Sequence, residues 1–267
     1  LMGDGFPTFC RGCRVRGRRA HCGSVFDRAV CHLARTRSGV ISRRQLIHQG
    51  LSESRVDRAR RNGWLTRLLP GVFLMAPSPE SFHARCFAVH IWLDGCGVLS
   101  GHTAGRLHGL ASMRTDPIEC LAPTNRVSKV PGWVDVHRSR WYFDDQNFTH
   151  LASGLTVTNP RRTVFALAAA TFTQRRFDHI ADDAWNLGLV TPTSMARYLE
   201  RHRCRGKDGV TLVEGWVERS IPRDRATQSY FERNLLDALE RVGLPTPATQ
   251  HPLDLRSGER IHLDIAW

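Results

Sequence analysis

GVISRRQLIHQGLSESRVDRARRNGWLTRLLPGVFLM, residues 39–75, reads as two short helices followed by a β-ribbon. Ser42 is placed to cap the first helix, and Gln45 three residues on completes a capping box. Leu46 and Ile47 supply its buried side, and Gly50 stops it. Ser52 opens a second helix that runs to about Gly63. At helical spacing Arg55, Arg58, Arg61 and Asn62 share one arc, with Val56 and Ala59 about a quarter-turn away. Guanidinium forks match phosphate or guanine edges and asparagine pairs with adenine, so this helix suits insertion beside a DNA duplex. Residues 64–68 and 72–75 flank Leu69-Pro70-Gly71, the pattern of a two-stranded wing closed by a Pro-Gly turn.

Three features of the stretch carry a family likeness. They are the R-x-L-x-x-x-G-L-S-x-S-x-V core from Arg44 to Val56, the G-W-L-x-R run from Gly63 to Arg67, and the closing Gly71-Val72-Phe73. Together they resemble the winged helix-turn-helix that opens AbiEi-type antitoxins, a family of bacterial transcriptional regulators. The resemblance implies duplex DNA and a cognate toxin as partners, with control of the protein's own operon.

The distribution of charge agrees with that reading. Residues 1–76 hold 15 Arg against 4 Asp/Glu, whereas residues 77–267 hold 23 Lys/Arg against 21 Asp/Glu. A formal charge of +13 concentrated at one end is an electrostatic footprint for a polyanion. Only Lys129 and Lys207 are lysines, a bias that also fits a GC-rich genome. The most apolar run, residues 86–99, is broken by His90 and Asp94, and a membrane span needs about 20 apolar residues. No apolar signal-peptide core opens the chain. The expectation is a cytoplasmic protein with no membrane partner, its eight cysteines reduced.

The chain of 267 residues is long enough for more than one core. Residues 1–23 are rich in Gly and Arg without apolar periodicity, and are expected to be a disordered basic extension. Cys10, Cys13, Cys22 and Cys31 lack the second close pair of a zinc ribbon. The leading Leu1-Met2 fits an over-extended gene start. Residues 24–76 form the winged domain, whose supporting helix begins at Ser24 and buries Phe26, Ala29, Val30, Leu33 and Ala34. Pro77-Ser78-Pro79 reads as a linker. Residues 80–220 form a neutral α+β domain, with helices at 80–95 and through Leu107, and strands at 116–123, 133–139 and 155–157. Helices then dominate to about Ser220.

Within that region Leu99-Ser100-Gly101-His102-Thr103-Ala104, His108-Gly109-Leu110, Val136-His137-Arg138-Ser139 and the run from Gly154 to Thr163 are similar to signature blocks of the domain that follows the AbiEi-type winged helix. The resemblance implies a domain that contacts the toxin. His102, His108 and His137 lack metal-ligand spacing and read as structural. Asp182-Asp183 reads as a solvated helix face. There is no G-x-S-x-G elbow, P-loop or G-x-G-x-x-G helix opening, which removes support for hydrolase, nucleoside-triphosphatase and dinucleotide chemistry.

Residues 225–267 change character. A helix with Phe231, Leu235, Ala238, Leu239 and Val242 on one face ends at Gly243, and two strands follow around Arg256-Ser257-Gly258-Glu259. Asp264 sits in a strand otherwise built from Ile261, Leu263, Ile265 and Trp267, a poor place for a charge unless something binds it. Helix, Gly-Leu-Pro-x-Pro, strand, turn and strand resemble the start of a restriction-endonuclease-like α/β domain related to the very-short-patch-repair endonucleases. The resemblance implies Asp264 as a metal-binding, catalytic aspartate and Glu232 as the helical carboxylate. Hard carboxylate oxygens suit Mg²⁺ and an attacking metal-bound water. The strand with the family's second acidic residue does not follow before Trp267, which leaves a fragment or a decayed domain as the alternatives, and an apolar final strand with an unpaired edge favours truncation.

The reading is an α+β protein: winged helix-turn-helix, middle α+β domain and incomplete endonuclease-like domain. Arg55, Arg58 and Asn62 are expected in the groove and Arg43, Arg44 and Arg67 on phosphates, with Arg61 completing the DNA-binding set. No cofactor is expected for the chain as given, and Mg²⁺ only for a complete nuclease. The rival readings are a metal-dependent DNA endonuclease and a toxin-neutralising module that needs no DNA.

Overall fold

In a computed structural model of the chain, the described residues are 13–15, 18–20, 26–123, 131–139, 147–202, 208–220, 236, 238–245, 247–254 and 260–266. Strand β1 (Cys13–Val15) pairs antiparallel with β2 (Arg18–Ala20), both inside the stretch expected to be a basic extension. Helix α1 (Arg28–Arg35) is capped by Asp27, whose Oδ1 accepts from Val30 N–H at 2.8 Å. The helix therefore starts later than the pattern from Ser24 implies. Phe26, Val30 and Ala34 are buried, whereas Ala29 is exposed and Leu33 half-buried.

Strand β3 (Val40–Ser42) leads into α2 (Arg43–His48), which begins on the expected capping box: Ser42 Oγ accepts from Gln45 N–H at 3.1 Å, and Gln45 Oε1 accepts from Ser42 N–H at 2.9 Å. Ser42→Ala removes one half of this exchange and should cost about 1 kcal/mol of unfolding free energy, read from urea midpoints. Helix α3 (Glu53–Arg61) is capped by Ser52, and β4 (Leu65–Leu69) and β5 (Val72–Met75) form the wing. β3 joins them in the order β3-β5-β4, a third strand that the sequence reading had not separated from the helix start.

β5 is apolar throughout because it is central and covered on both faces. Phe73 and Met75 join Ile41, Leu46, Val56 and Trp64 in the core under the three helices. On the other face lies α4 (Phe82–Leu93), packed against β3, β4 and β5 and also against the next sheet. A helix covered on two sides needs no polar stripe, which explains the long apolar run noted above. Residues 77–79, expected as a linker, include Ser78, whose N–H donates to Met75 O at 2.9 Å.

The second sheet contains β6 (Val98–Leu99), β7 (Ile118–Ala122), β8 (Val134–Arg138), β9 (Phe148–His150) and β10 (Thr156–Thr158) in the order β8-β7-β6-β10-β9. β7–β8 and β6–β10 are parallel, and β6–β7 and β9–β10 antiparallel. Helix α5 (Gly101–Leu107) follows β6 directly.

Contacts divide the chain into two compact units, residues 1–104 with 114–159, and residues 105–113 with 160–267. The second is built on α6 (Pro160–Ala169), α7 (Gln174–Asn186), α8 (Pro192–His202) and α9 (Val210–Ser220). Phe177, Leu167, Met195 and Trp216 are the fully buried centre. Asp182 is buried there and accepts from Trp216 Nε1–H at 2.8 Å, while Asp183 accepts from Ala111 N–H at 2.7 Å. This corrects the reading of Asp182-Asp183 as a solvated face: an indole N–H inside a core needs an acceptor. Asp178, one turn earlier, takes two bonds from Arg219 at 2.7 and 2.8 Å.

Farther on, residues 238–241 are helical and stop at Gly243, which has φ +78°, as expected. β11 (Ala248–Asp254) and β12 (Arg260–Ala266) pair antiparallel. The protein is α+β. Among the described residues no helix is long and apolar enough to cross a membrane.

Candidate nucleic-acid interface

Only Val56 and Ala59 of α3 are buried, so the helix stands on two small side chains and turns the rest outward. Gly50 at φ +86° makes the turn between α2 and α3, a left-handed conformation that suits glycine. Ser52 Oγ accepts from Arg55 N–H at 3.4 Å and starts the helix. Arg55, Arg58, Arg60 and Arg61 are all exposed. Opposite the buried pair, helical spacing puts Ser54, Asp57, Arg58 and Arg61 outermost. Asn62 is the C-cap of α3, beyond its last turn.

Two carboxylates interrupt this cationic face, and one residue answers both. The guanidinium of Arg43, first in α2, donates to Glu53 and Asp57 of α3. Its bond to Asp57 is the largest of the influences that raise its pKa above the ordinary value, opposed by desolvation and aided by Glu53. Arg43 therefore ties α2 to α3 and cancels the acid on the outer arc. The expectation of Arg43 on phosphate does not include these two acids. Their spacing of four residues, which stacks side chains on one helix face, was the signal to use.

Arg44 lies outside this clamp. It pairs with Asp94 at 3.3 Å, but both side chains are at least three-quarters exposed, so the pair is screened and weak. Arg67 projects from β4 into solvent. Among the described residues no carboxylate pairs with Arg58, Arg60, Arg61 or Arg67. The structure thus gathers Arg55, Arg58 and Arg61 on one helix, leaves Asn62 at its far end, and puts Arg67 on the wing.

Glu232 lies outside the described residues. Asp264 falls in β12, between the paired positions Leu263 and Ile265, and its side chain is also outside them. Among the described residues no group of three or more His, Cys, Asp or Glu side chains could hold a metal ion.

One histidine near α2 is electrostatically perturbed. Burial, then the charges of Arg37 and His150, hold His90 of α4 below the ordinary imidazole value. Well above about pH 6.5 it is neutral in both folded and unfolded chains. As pH falls below that toward the folded value, the unfolded chain takes the proton first and stability drops. His90→Gln should flatten this part of the stability curve, measured by urea midpoints between about pH 7 and 5.

Two helices joined by a tight turn, a three-stranded sheet and a short wing define the winged-helix class of domain. Residues 29–76 match the family model described as transcriptional regulator, AbiEi antitoxin. The matched span starts inside α1 and ends after β5. The crystal structure of the RV2827C protein from Mycobacterium tuberculosis is similar in fold, with a TM-score of 0.52 and 18% identity over 77% of this chain and 78% of that one. No curated protein matches the chain.

Proposed function

We propose that the protein is a DNA-binding transcriptional regulator of the AbiEi antitoxin kind, acting in the cytoplasm beside a cognate toxin. The observation that carries this reading is α3: four exposed arginines on a helix anchored by two residues, with its two acids engaged by Arg43. In helix-turn-helix proteins the N-terminal part of the second helix meets base edges. Here that places Ser54, Arg55 and Arg58 in the groove. Arg61, Arg44 and Arg67 serve the flanking phosphates. The toxin partner rests on the family match of residues 29–76.

The test is selection of bound sequences from a random duplex library, followed by affinity measurements of the full chain across salt concentrations. A steep linear fall of log affinity with log salt, and a recovered consensus, support the reading. Salt-independent or absent binding overturns it.

Arg43 supplies a finer test. Arg43→Ala exposes Glu53 and Asp57 to the phosphates, and DNA affinity should fall about tenfold, or ~1.4 kcal/mol. If Arg43 acts by cancelling those acids, adding Glu53→Gln and Asp57→Asn restores most of the loss. A direct phosphate contact would leave the triple variant as weak as the single one.

A further inference from the structure

The wing formed by β4 and β5 is short, and Pro70-Gly71 is the whole turn between its strands. Leu69 and Val72, on either side of that turn, are only 1% and 2% exposed. α4 packs against both strands on the face away from the other helices. The turn itself is tied down, because Arg43 N–H at the start of α2 donates to Gly71 O at 2.8 Å. A ribbon buried up to its last pair ends at the body of the domain and does not stand out from it.

The chemistry of the wing agrees with its shape. Protein segments that read the minor groove do so with Arg, Lys, Asn or Gln side chains. Between Leu65 and Met75 the chain holds one such residue, Arg67. It is set back from the turn and paired with Phe73, a member of the core under the helices, so it stands on the helix side of the sheet. A phosphate beside α3 suits it there, and the tip, Pro70-Gly71, has no side chain that reads a base edge. Base reading then falls to α3. Its outward residues run from Ser54 to Arg61, about 10 Å of helix, or about three base-pair steps. Resting on α3 as the DNA-binding helix, we propose that the domain reads its site wholly from the major groove. The site is one short block of base pairs, and the wing stays out of the minor groove.

The test uses the full chain and the consensus duplex recovered by selection, remade with base analogues. Inosine for guanine and 2,6-diaminopurine for adenine, in the consensus and its flanks, exchange the minor-groove amino groups and leave the major-groove edges as they were. Affinity for this exchanged duplex should stay within about twofold of the parent, and a larger loss overturns the proposal. 7-Deazapurines at the consensus purines remove the major-groove N7 acceptor and should weaken binding at least about tenfold. Binding as tight as to the parent overturns the proposal equally. Arg67→Ala should weaken the ordinary and exchanged duplexes by the same factor, as loss of a phosphate contact does. A loss confined to the ordinary duplex would mean that Arg67 reads the minor groove, against the proposal. If the selection recovers no bound duplex at all, the DNA-binding reading has failed and the proposal falls with it.

Discussion

Replacing Arg58 and Arg61 together by alanine is expected to weaken duplex DNA binding by about 2–4 kcal/mol, some 30- to 1000-fold. Arg58 lies on the outer arc of α3, one turn beyond its start, where a fork can reach a guanine edge. Arg61 lies one further turn on, where the groove wall and its phosphates are within reach. The two contributions separate by their salt dependence. Arg58→Ala alone should relax sequence preference at one position with little change in salt slope. Arg61→Ala alone should weaken all sequences alike and lower the slope by about 1. Neither change touches the core, because only Val56 and Ala59 of α3 are buried, so unfolding midpoints should hold. Binding that survives the double change with an unaltered salt slope would place the DNA-binding face elsewhere.

Much of the winged helix was legible because its signals are local. Ser42 with Gln45, Ser52 before α3, Gly50, Gly63 and the Pro70-Gly71 turn each act on backbone within a few residues, and each appears where expected. The long-range pairings were not legible. β3 hides in the three residues before a helix start, and β9 is too short to show periodicity. The order β8-β7-β6-β10-β9 places strands far apart in sequence side by side, which no window of residues encodes. Polar side chains were misjudged for the same reason. Asp182 looks solvent-facing until Trp216, 34 residues away, supplies its donor. That Arg43 also meets Glu53 and Asp57 shows only once α2 and α3 are folded together. In the candidate interface, Arg55, Arg58 and Arg61 were legible from helical spacing alone. The pairing of Arg43 with Glu53 and Asp57 was not.

Loss of Glu119 should cost far more stability than loss of the Ser42 cap, and its partners explain the Ser-Gly-His-Thr run at residues 100–103. Glu119 is the second residue of β7, only 4% exposed, where a carboxylate needs hydrogen-bond partners. Its Oε2 accepts from His102 N–H at 3.0 Å, and Oε1 accepts from Arg114 Nη2–H at 3.1 Å. The backbone is tied to the same run, since Glu119 N–H donates to Thr103 Oγ1 at 2.8 Å and Ser100 N–H donates to Glu119 O at 3.0 Å. Gly101 has φ +53°, and a Cβ there would lie 1.8 Å from Glu119 Oε2. The motif is therefore a socket for one buried carboxylate. Glu119→Ala leaves His102 N–H and Arg114 without their acceptor and should cost about 3–5 kcal/mol. Glu119→Gln keeps the shape but must turn its NH₂ toward one of two donors, so about 1–3 kcal/mol is expected. Gly101→Ala should give a loss comparable to Glu119→Ala while leaving the carboxylate in the chain, because its Cβ collides with Oε2. Urea unfolding of the three variants settles the matter. A Gln variant as stable as the parent would mean that the charge is dispensable and that the socket holds its strand by shape alone.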